Sequence, residues 1–406
     1  MTLTQAINYS KNDYNIRIYR AAWGNKLHGE PYMASWFQSS SSQDWLVRDG
    51  SRYVPTLDDQ IATDWCIYDF MHNRHTDDGI IVAWHGEVQK IYNTDNILDT
   101  SAVLPDLPVV VPSLPGSTWS IKSSPADYPW SDIVYRNGMF VAVATSGENG
   151  YVMTSLDGDV WTLQPVLIGT GWSGITYGNG QFVAISSNTS NPNVMTSIDG
   201  LLWTARTGVS GFTKQRIAHG NGMFVTVSNS TTITNFVIQT SPDGILWTNR
   251  QSVPNDVVAN ALQGITFGGG LFVATRTNGI LTSPNGIDWT VRSVPNGTWR
   301  GVAYGNGTYV AVGGSGAVMT SPDAVTWTLQ QSPANNNWRS VTFGNGMFVA
   351  VAQTGTGNRI MTSPNGITWT LRQSPANNDW QSVTYGNGKF VAVANTGTGN
   401  RIMTSP

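Results

Sequence analysis

Side chains that could act as catalytic acids, bases or nucleophiles are scarce after residue 116 of this chain. Glu148 is the only glutamate in that part, and most aspartates occupy turn positions, such as Asp157, Asp199 and Asp243, each followed by glycine. Glycoside cleavage needs two carboxyl groups about 5–10 Å apart, and no nucleophile elbow, phosphate-cradling loop or zinc-spaced Cys/His cluster occurs there. The pattern predicts that the chain is not an enzyme and needs no cofactor.

Arginines recur at fixed distances from tryptophans. Four come three residues after a tryptophan and two come directly after one. In one interpretation the arginines lie on outer strands, where each guanidinium packs on a tryptophan and keeps the outer edge of the fold soluble. In the other the arginines form a ring of positive charge that binds acidic glycans. The variable segments 147–150, 188–193 and 231–235 are rich in Asn, Ser and Thr, which suits sugar recognition by loops. The first group is Arg206, Arg250, Arg292 and Arg372, and the second is Arg300 and Arg339.

Histidines cluster once, at His72, His75 and His85, with Asp77 between them. The H-x-x-H spacing alone is weak evidence for a metal ion, because a zinc site needs further ligands at compatible spacing. Histidines in a polar loop are more often solvated. We therefore predict no metal site.

The distribution of charge limits the class of partner. The net charge of −3 divides into −6 for residues 1–116, with 8 Lys/Arg and 14 Asp/Glu, and +3 for the remainder, with 14 and 11. Neither part has the concentrated basic stripe that a nucleic-acid backbone needs. The single cysteine, Cys66, excludes an internal disulfide, and no apolar run approaches the roughly 18 residues of a membrane span. We expect neither nucleic-acid binding nor membrane insertion, and the N-terminus shows no export signal.

One sequence unit recurs seven times after residue 116. It reads W-x-x-[IV]-[TA]-[YF]-G-N-G-x-F-V-A-V, a variable loop, and M-T-S-P-[DN]-G-x-x-W-T. In the sixth unit it predicts four strands, Trp338 to Phe343, Met347 to Ala352, Arg359 to Ser363 and Ile367 to Leu371. Strands that are apolar on both faces suit a sheet packed between two others, and four strands in about 42 residues are typical of a propeller blade. The closing tryptophans are Trp119, Trp161, Trp203, Trp247, Trp289, Trp327 and Trp369.

The ends of the repeat region predict a closed ring. Trp119 has no Gly-Asn-Gly before it, and the last Gly-Asn-Gly, which ends at Gly388, has no tryptophan after it. The segment Ser117 to Lys122 therefore supplies the strand that the last unit lacks, beside Arg401 to Ser405. Such closure removes both raw sheet edges. We predict an all-β seven-bladed propeller over residues 117–406, closed by an N-terminal outer strand.

The segment Ser241 to Trp247, Ser-Pro-Asp-Gly-Ile-Leu-Trp, resembles the Asp-box of sialidases and related propellers, S-x-D-x-G-x-x-W, but is one residue shorter. In those families the box is a structural hairpin away from the active site, so the resemblance implies a fold and not sialidase activity. Asn285 and Asn365 replace the aspartate in two copies, and Ala324 replaces the glycine in another, which a hairpin tolerates better than a catalytic site. The region resembles Asp-box-like seven-bladed propellers of phage and bacterial surface-binding proteins.

Residues 1–99 contain no repeat and predict a small α+β domain. Thr2 and Gln5 form a capping box for an opening helix, and Thr56 can cap a helix from Leu57 to Thr63. Residues 100–116 hold four prolines and predict a semi-rigid extended linker. The predicted strands of this domain are Asn15 to Trp23, Trp65 to Phe70 and Gly79 to Tyr92.

Two segments of this domain resemble a known family. Arg20-Ala-Ala-Trp23-Gly-Asn resembles an R-x-x-W-x-G-like strand end, with Asn25 where glycine is usual, and Tyr53 to Trp65 matches [WY]-x-P-[ST]-x-x-D-x-[LI]-A-x-D-W. These motifs resemble the second Thoeris anti-defence family of phage proteins, whose members sequester cyclic nucleotide-type immune signals in pockets between subunits. The resemblance implies that Trp23 and Trp65 stack on a base and that Arg20 meets a phosphate. The alternative is that both tryptophans are core residues.

Together these features predict a phage virion structural protein of the tail-fibre, receptor-binding or decoration type. Its N-terminal module would dock onto other virion proteins or form a homo-oligomer, and its propeller would engage a host-surface glycan or protein. The alternative is an intracellular anti-defence protein that sequesters a cyclic nucleotide immune signal through residues 1–99. The expected location is the virion, after synthesis in the host cytoplasm.

Overall fold

The chain divides into two compact units, residues 1–110 and 111–406. The computed structural model describes seven strands of the first unit as backbone, and residues 115–145, 151–166, 171–189, 192–208, 212–230, 236–250 and 262–406 of the second. Each unit is described by itself below.

The first unit contains one antiparallel sheet. Its strands are β1 (Ile16–Arg20), β2 (Met33–Gln38), β3 (Asp44–Arg48), β4 (Ser51–Tyr53), β5 (Trp65–Asp69), β6 (Ile80–His85) and β7 (Val88–Asn93). Across the sheet they follow the order β4-β3-β2-β1-β5-β6-β7, which places β1 at the centre. The two predicted helices lie outside the described residues, so the α+β assignment stays a prediction.

The second unit is a seven-bladed propeller, which confirms the fold predicted from the repeats. Each blade is a four-stranded antiparallel sheet. The first strands contact those of the neighbouring blades all the way around and so line the centre of the ring. They are β9 (Trp130–Arg136), β13 (Trp172–Gly178), β17 (Phe212–Gly220), β21 (Leu262–Gly268), β25 (Trp299–Gly305), β29 (Trp338–Gly344) and β33 (Trp380–Gly386), in blades 1 to 7.

The other strands follow outward in the same order. The second strands are β10 (Met139–Ala144), β14 (Gln181–Ser186), β18 (Met223–Ser230), β22 (Leu271–Arg276), β26 (Thr308–Gly313), β30 (Met347–Ala352) and β34 (Lys389–Ala394). The third strands are β11 (Tyr151–Ser155), β15 (Val194–Ser197), β19 (Phe236–Ser241), β23 (Gly279–Ser283), β27 (Val318–Ser321), β31 (Ile360–Ser363) and β35 (Ile402–Ser405). The outermost strands are β12 (Thr162–Pro165), β16 (Thr204–Arg206), β20 (Thr248–Arg250), β24 (Thr290–Arg292), β28 (Thr328–Leu329), β32 (Thr370–Arg372) and, in blade 7, β8 (Ser120–Lys122).

The second strand of each blade carries the core. In β10 the side chains of Phe140 and Ala142 belong to a cluster shared with blade 7, whereas Val141 and Val143 belong to a cluster shared with blade 2. All four are fully buried. Burial of a valine or phenylalanine side chain stabilises a fold by about 1.5–3 kcal/mol, and a strand that is apolar on both faces collects this from both neighbouring blades.

The Gly-Asn-Gly sequences form the two-residue turns between first and second strands. Asn345 and Gly346 have φ angles of 46° and 72°, the left-handed region that such tight hairpin turns require. Gly344 and Met347 are paired on either side of the turn. Asparagine and glycine are the residues that enter this region most readily, which explains their recurrence.

The Asp-box forms the turn between third and fourth strands. In blade 6, Asn365 Oδ1 accepts hydrogen bonds from the amides of Ile367 and Thr368, at 2.9 and 3.0 Å. These amides are therefore unavailable to the sheet, and the fourth strand begins at Thr370 instead of at the predicted Ile367. The closing tryptophan of each blade, including Trp119, donates from Nε1 to the carbonyl three residues earlier, at 2.7–3.1 Å.

Acid should weaken the propeller through three of these turns. The amides of Leu202 and Leu201 hold the pKa of the Asp199 carboxyl below its usual range, those of Val160 and Asp159 do so for the pKa of Asp157, and those of Thr326 and Val325 for the pKa of Asp323. A carboxyl whose pKa is lower in the folded state stabilises the fold above its unfolded value of about 4, and this is lost as the pH falls through the folded value.

We expect the urea midpoint of the wild type to fall steadily below about pH 4. In a variant with Asp157, Asp199 and Asp323 changed to Asn, the midpoint should fall less, because Asn accepts the same amide bonds without titrating. Asn285 already does so in blade 4, at 2.9 Å from the amides of Ile287 and Asp288. Parallel curves for the two proteins, measured from pH 7 to 2, would contradict this account.

Aromatic side chains rest on glycines from blade to blade around the ring. A Cβ built on Gly344 would lie 2.1 Å from Cγ of Tyr385 in the next blade, and one built on Gly386 would lie 1.9 Å from Cγ of Tyr135. Only a residue without a side chain lets these rings approach the backbone so closely. The same contact joins Gly178 to His219, Gly220 to Phe267, Gly268 to Tyr304 and Gly305 to Phe343; in blade 1 the equivalent residue is Arg136.

The ring closes as predicted, with β8 as the outer strand of blade 7. Lys122, Ile121 and Ser120 pair with Ile402, Met403 and Thr404 of β35. Trp119 and Ile121 pack on the core cluster between blades 6 and 7. Because β8 comes from the opposite end of the repeat region, blade 7 has no unpaired outer edge on β35.

The seventh Asp-box is divided between the two ends of the repeat region. The amide of Gly116 donates to the carbonyl of Pro406 at 3.0 Å, and Gly116 has a φ of 74°, as the glycines of the continuous boxes have. The order Ser405, Pro406, Pro115, Gly116 thus reproduces the Ser-Pro-Asp-Gly turn in two pieces, with Pro115 at the aspartate position. An ion pair of 2.9 Å from Lys122 Nζ to Asp159 Oδ1 ties the closing strand to blade 1.

Candidate ligand site on the loop face of the propeller

The propeller has two unlike faces. The first, which we call the turn face, carries the Gly-Asn-Gly turns and the Asp-box turns. The opposite loop face carries the starts of the first strands, the connections between blades and the loops between second and third strands. Because the antiparallel order repeats in each blade, the loops between second and third strands that the structure describes lie on the loop face. Two of the predicted polar loops, residues 147–150 and 231–235, lie outside the described residues.

The described loops are held in place by their own side chains. In the loop 353–359, Arg359 Nη1 donates to the Gln353 carbonyl at 2.6 Å and Nε donates to the Gly355 carbonyl at 2.7 Å. Arg359 also pairs with Asp379 at 3.0 Å. Arg401 makes the same two carbonyl bonds in the loop of blade 7. These loops therefore present their surfaces without a large ordering cost on binding.

The six arginines singled out in the sequence separate into two groups. Those of the outer strands are structural, because each Nε donates to a threonine hydroxyl on the neighbouring third strand at 2.8–3.0 Å. These are Arg206, Arg250, Arg292 and Arg372, bonded to Thr196, Thr240, Thr282 and Thr362. Arg300 and Arg339 instead lie on the innermost strands β25 and β29.

Arg300 and Arg339 form a cluster with Arg216 of β17, which we call the arginine cluster. In each of these blades the register between first and second strands shifts at the loop-face end, between Lys214 and Arg216 in blade 3. Such a bulge re-aims the side chains beside it. Blades 3 and 6 are not neighbours, so the charges of Arg216 and Arg339 act on each other across the centre of the ring.

Three glycines hold the backbone of the cluster in place. A Cβ on Gly264 would lie 2.1 Å from the carbonyl oxygen of Arg300, and one on Gly301 would lie 3.1 Å from that of Arg339. A Cβ on Gly174 would lie 3.3 Å from Cα of Arg216. In each case the glycine of the preceding blade lets the arginine-bearing strand come closer than another residue would.

The arginine cluster is strongly positive and partly desolvated. All three side chains are half-buried. Burial, followed by the charges of Arg216 and Arg300, lowers the pKa of Arg339 to about 9. Nε of Arg339 is buried and has no hydrogen-bond partner among the residues that the structure describes. A guanidinium in this state costs stability unless an anion meets it.

The other polar groups at this level already have partners. Arg216 Nη1 donates to the Ser173 carbonyl at 2.8 Å, and Arg300 Nη1 donates to Gln353 Oε1 at 2.9 Å. Asp132, the one acidic residue on the seven first strands, accepts from Ser382 Oγ at 2.7 Å and from the Ile175 amide at 3.0 Å. Asp132 thus joins blades 7, 1 and 2.

In the first unit, the structure brings together two of the three residues assigned to a nucleotide. Arg20 and Trp65 are register partners across β1 and β5. Trp23 lies outside the described residues, as do His72, His75 and Asp77. Within the described ranges, no three His, Cys, Asp or Glu residues group as metal ligands would. No described helix is long and apolar enough to cross a membrane.

No protein-family model matches this chain, and no curated protein matches it. Solved structures resemble the propeller closely in fold. YCF48 from Cyanidioschyzon merolae has a TM-score of 0.53 at 14% sequence identity, over 71% of this chain and 98% of its own. Virginiamycin B lyase from Staphylococcus aureus has a TM-score of 0.58 at 11% identity, over 71% and 98%. YCF48 bound to D1 peptide has a TM-score of 0.53 at 13% identity, over 72% and 95%.

These likenesses correct one prediction. The expectation that the chain is not an enzyme, drawn from its few catalytic side chains, is wrong as a flat exclusion, because an enzyme, virginiamycin B lyase, has a similar propeller fold. The ring serves a peptide-binding protein equally well. At these identities the likeness establishes the fold, and the fold is one that binding proteins and enzymes share.

Proposed function

We propose that the chain is a phage virion protein whose propeller binds a host-surface glycan or protein through its loop face. The observation that carries the proposal is the loop face itself, where the pre-ordered polar loops of blades 6 and 7 lie on the same face of the ring as three half-buried arginines. Binding sites favour loops that a rigid scaffold positions. A peptide-bound propeller of the same fold supports a macromolecular partner.

In this proposal the two units have different roles. The domain of residues 1–99 docks onto other virion proteins or forms a homo-oligomer, the segment 100–116 is a linker, and the ring of residues 117–406 displays the loops. The phage-type motifs near Arg20 and Tyr53 and the Asn/Ser/Thr-rich loops support it. The protein is then located in the virion.

Two measurements test this function. Mass spectrometry of purified particles should find the chain in the virion, and a glycan array probed with the full chain should retain a restricted set of surface glycans. Binding should be lost when the loop 353–359 is replaced by a Gly/Ser segment of equal length. The turn face keeps its wild-type sequence in this variant, so a loss of binding is attributed to the loop face. Consistent absence from particles, or no retained glycan or host-surface protein, would exclude the proposal.

A second candidate function rests on the pairing of Arg20 with Trp65. Two residues of the anti-defence motif, distant in sequence, meet at the same register position. In this candidate the first unit sequesters a cyclic nucleotide immune signal. Titration calorimetry of the full chain with cyclic ADP-ribose-type signals should give heat that Arg20→Ala removes. No heat at high ligand concentration would exclude it.

A further inference from the structure

Arg339 lacks, within the described part of the chain, the partner that its charge requires. Arg216, Arg300 and Arg339 lie on β17, β25 and β29, three of the first strands that line the centre of the ring. The buried Nε of Arg339 has no acceptor within the described part of the chain. Like charges held together in a desolvated place destabilise a fold unless they do something else for the protein. Perturbed, incompletely paired charges of this kind mark functional sites.

A comparison of two blades shows that the fold does not need Arg339. Residues 331–364 of blade 6 and 373–406 of blade 7 are the same sequence except at five positions. Blade 7 has Gln381 in place of Arg339, and both strands have the same register with their second strands. The five differing pairs are Asn337/Asp379, Arg339/Gln381, Phe343/Tyr385, Met347/Lys389 and Gln353/Asn395.

Two of these five differences belong to the arginine cluster. One places the charge of Arg339, and the other places Gln353, which holds Arg300 through a 2.9 Å hydrogen bond. In an otherwise repeated sequence, blade 6 thus differs from blade 7 where it faces the cluster. Folding alone gives no reason for the change, because the glutamine version already folds in blade 7.

The three arginines come from three different blades, which favours a tetrahedral anion as their ligand. A carboxylate is planar, offers two oxygens and is satisfied by one or two guanidinium forks. Phosphate and sulfate esters offer several terminal oxygens pointing in different directions and more negative charge, which suits cations that arrive from three blades. Arginine is the side chain best shaped for such multidentate contacts.

We propose that the arginine cluster is a binding site for a phosphate or sulfate group carried by the ligand of the loop face. Arg339 supplies the unpaired donor, and Arg216 and Arg300 supply the remaining charge. The inference rests on the proposed binding function of the loop face and names the chemical group that this face recognises. A phosphorylated or sulfated surface glycan is the source that the polar loops favour.

The melting temperature of the full chain tests the site with inorganic phosphate as the probe, at constant ionic strength. Phosphate at 100 times its dissociation constant should raise the melting temperature by about 5 °C over chloride, and acetate should raise it much less. Arg339→Gln, which installs the residue of blade 7, should abolish the phosphate response and raise the melting temperature in chloride. Arg300→Gln should weaken the response as a second variant, and the outer-strand control Arg292→Gln should keep it.

The results separate the anion site from the binding function of the loop face, and they also identify the source of the bound anion. Equal responses in wild type and Arg339→Gln mean an adventitious ion only and overturn the site, as does an acetate response equal to that of phosphate. Tighter binding of a sugar phosphate than of inorganic phosphate supports the glycan source, whereas preference for a phosphoserine peptide overturns that source. If surface glycans bind Arg339→Gln as well as wild type, the loop-face function stands and the anion site fails. If inorganic phosphate binds but no glycan or host-surface protein does, the anion site stands and the proposed function fails.

Discussion

A chain that lacks residues 115–124 will unfold at a much lower urea concentration than the full protein. The deletion removes β8, so that β35 becomes a raw edge and the core between blades 6 and 7 loses Trp119 and Ile121. Loss of one large and one medium apolar side chain from a packed site costs about 5 kcal/mol. The exposed edge also offers its backbone to other chains, so we expect aggregation on heating.

A rearranged chain provides the control for this deletion. Residues 115–124 are moved to follow Pro406, with Pro115→Asp so that the joint reads Ser-Pro-Asp-Gly as in blade 3. Because the Gly116 amide already lies 3.0 Å from the Pro406 carbonyl, the moved strand can occupy the same place. The rearranged chain should recover most of the lost stability. A rearranged chain no more stable than the deletion would show that β8 does not act through blade 7.

Replacement of Gly344 by valine will destabilise the propeller by about 3 kcal/mol. The new Cβ would start 2.1 Å from Cγ of Tyr385, far inside van der Waals contact. Tyr385 cannot retreat easily, because its ring packs on Phe390 with centroids 4.8 Å apart. The misfit must spread into the neighbouring blade, and the urea midpoint measures its cost.

Arg136→Val is the matched control for this change. Arg136 occupies the same repeat position in blade 1, next to the turn between first and second strands, and it is exposed. The same valine should change stability there by no more than about 0.5 kcal/mol. Equal effects at the two positions would mean that β propensity, and not the contact between glycine and aromatic ring, sets the cost.

The architecture of the propeller follows from features that are local in sequence. The Gly-Asn-Gly turns need left-handed φ angles, the doubly apolar second strands need a sheet on each side, and the offset of Trp119 needs a partner strand at the other end. All three appear in the structure as predicted. The fourth strand of blade 6 begins later than predicted, because Asn365 Oδ1 accepts hydrogen bonds from the amides of Ile367 and Thr368. The pattern of residue types alone assigns these two amides to the sheet.

The arginine cluster depends on distances across the ring, which no local pattern reports. Arg300 and Arg339 stand out in the sequence because a tryptophan precedes each, but the same feature groups them with arginines that the structure places on the outermost strands. Arg216 was missed because β17 begins with Phe212 and has no tryptophan to mark its register. Alignment of the seven first strands on their closing glycines would have placed all three arginines within two adjacent repeat positions. The inference about catalysis failed for another reason, since a binding ring and an enzyme can share one fold.

The divided Asp-box has a consequence for how the gene can change. Residues 331–364 and 373–406 are so alike that recombination between their coding segments can add or remove one unit. An open array lengthens with little penalty when it gains a repeat. Here every product must still bring Pro406 within a hydrogen bond of Gly116, and a ring of six or eight units would change the spacing that allows it. The divided Asp-box therefore ties the stability of the protein to the number of repeats, so a change in that number is exposed to selection through stability.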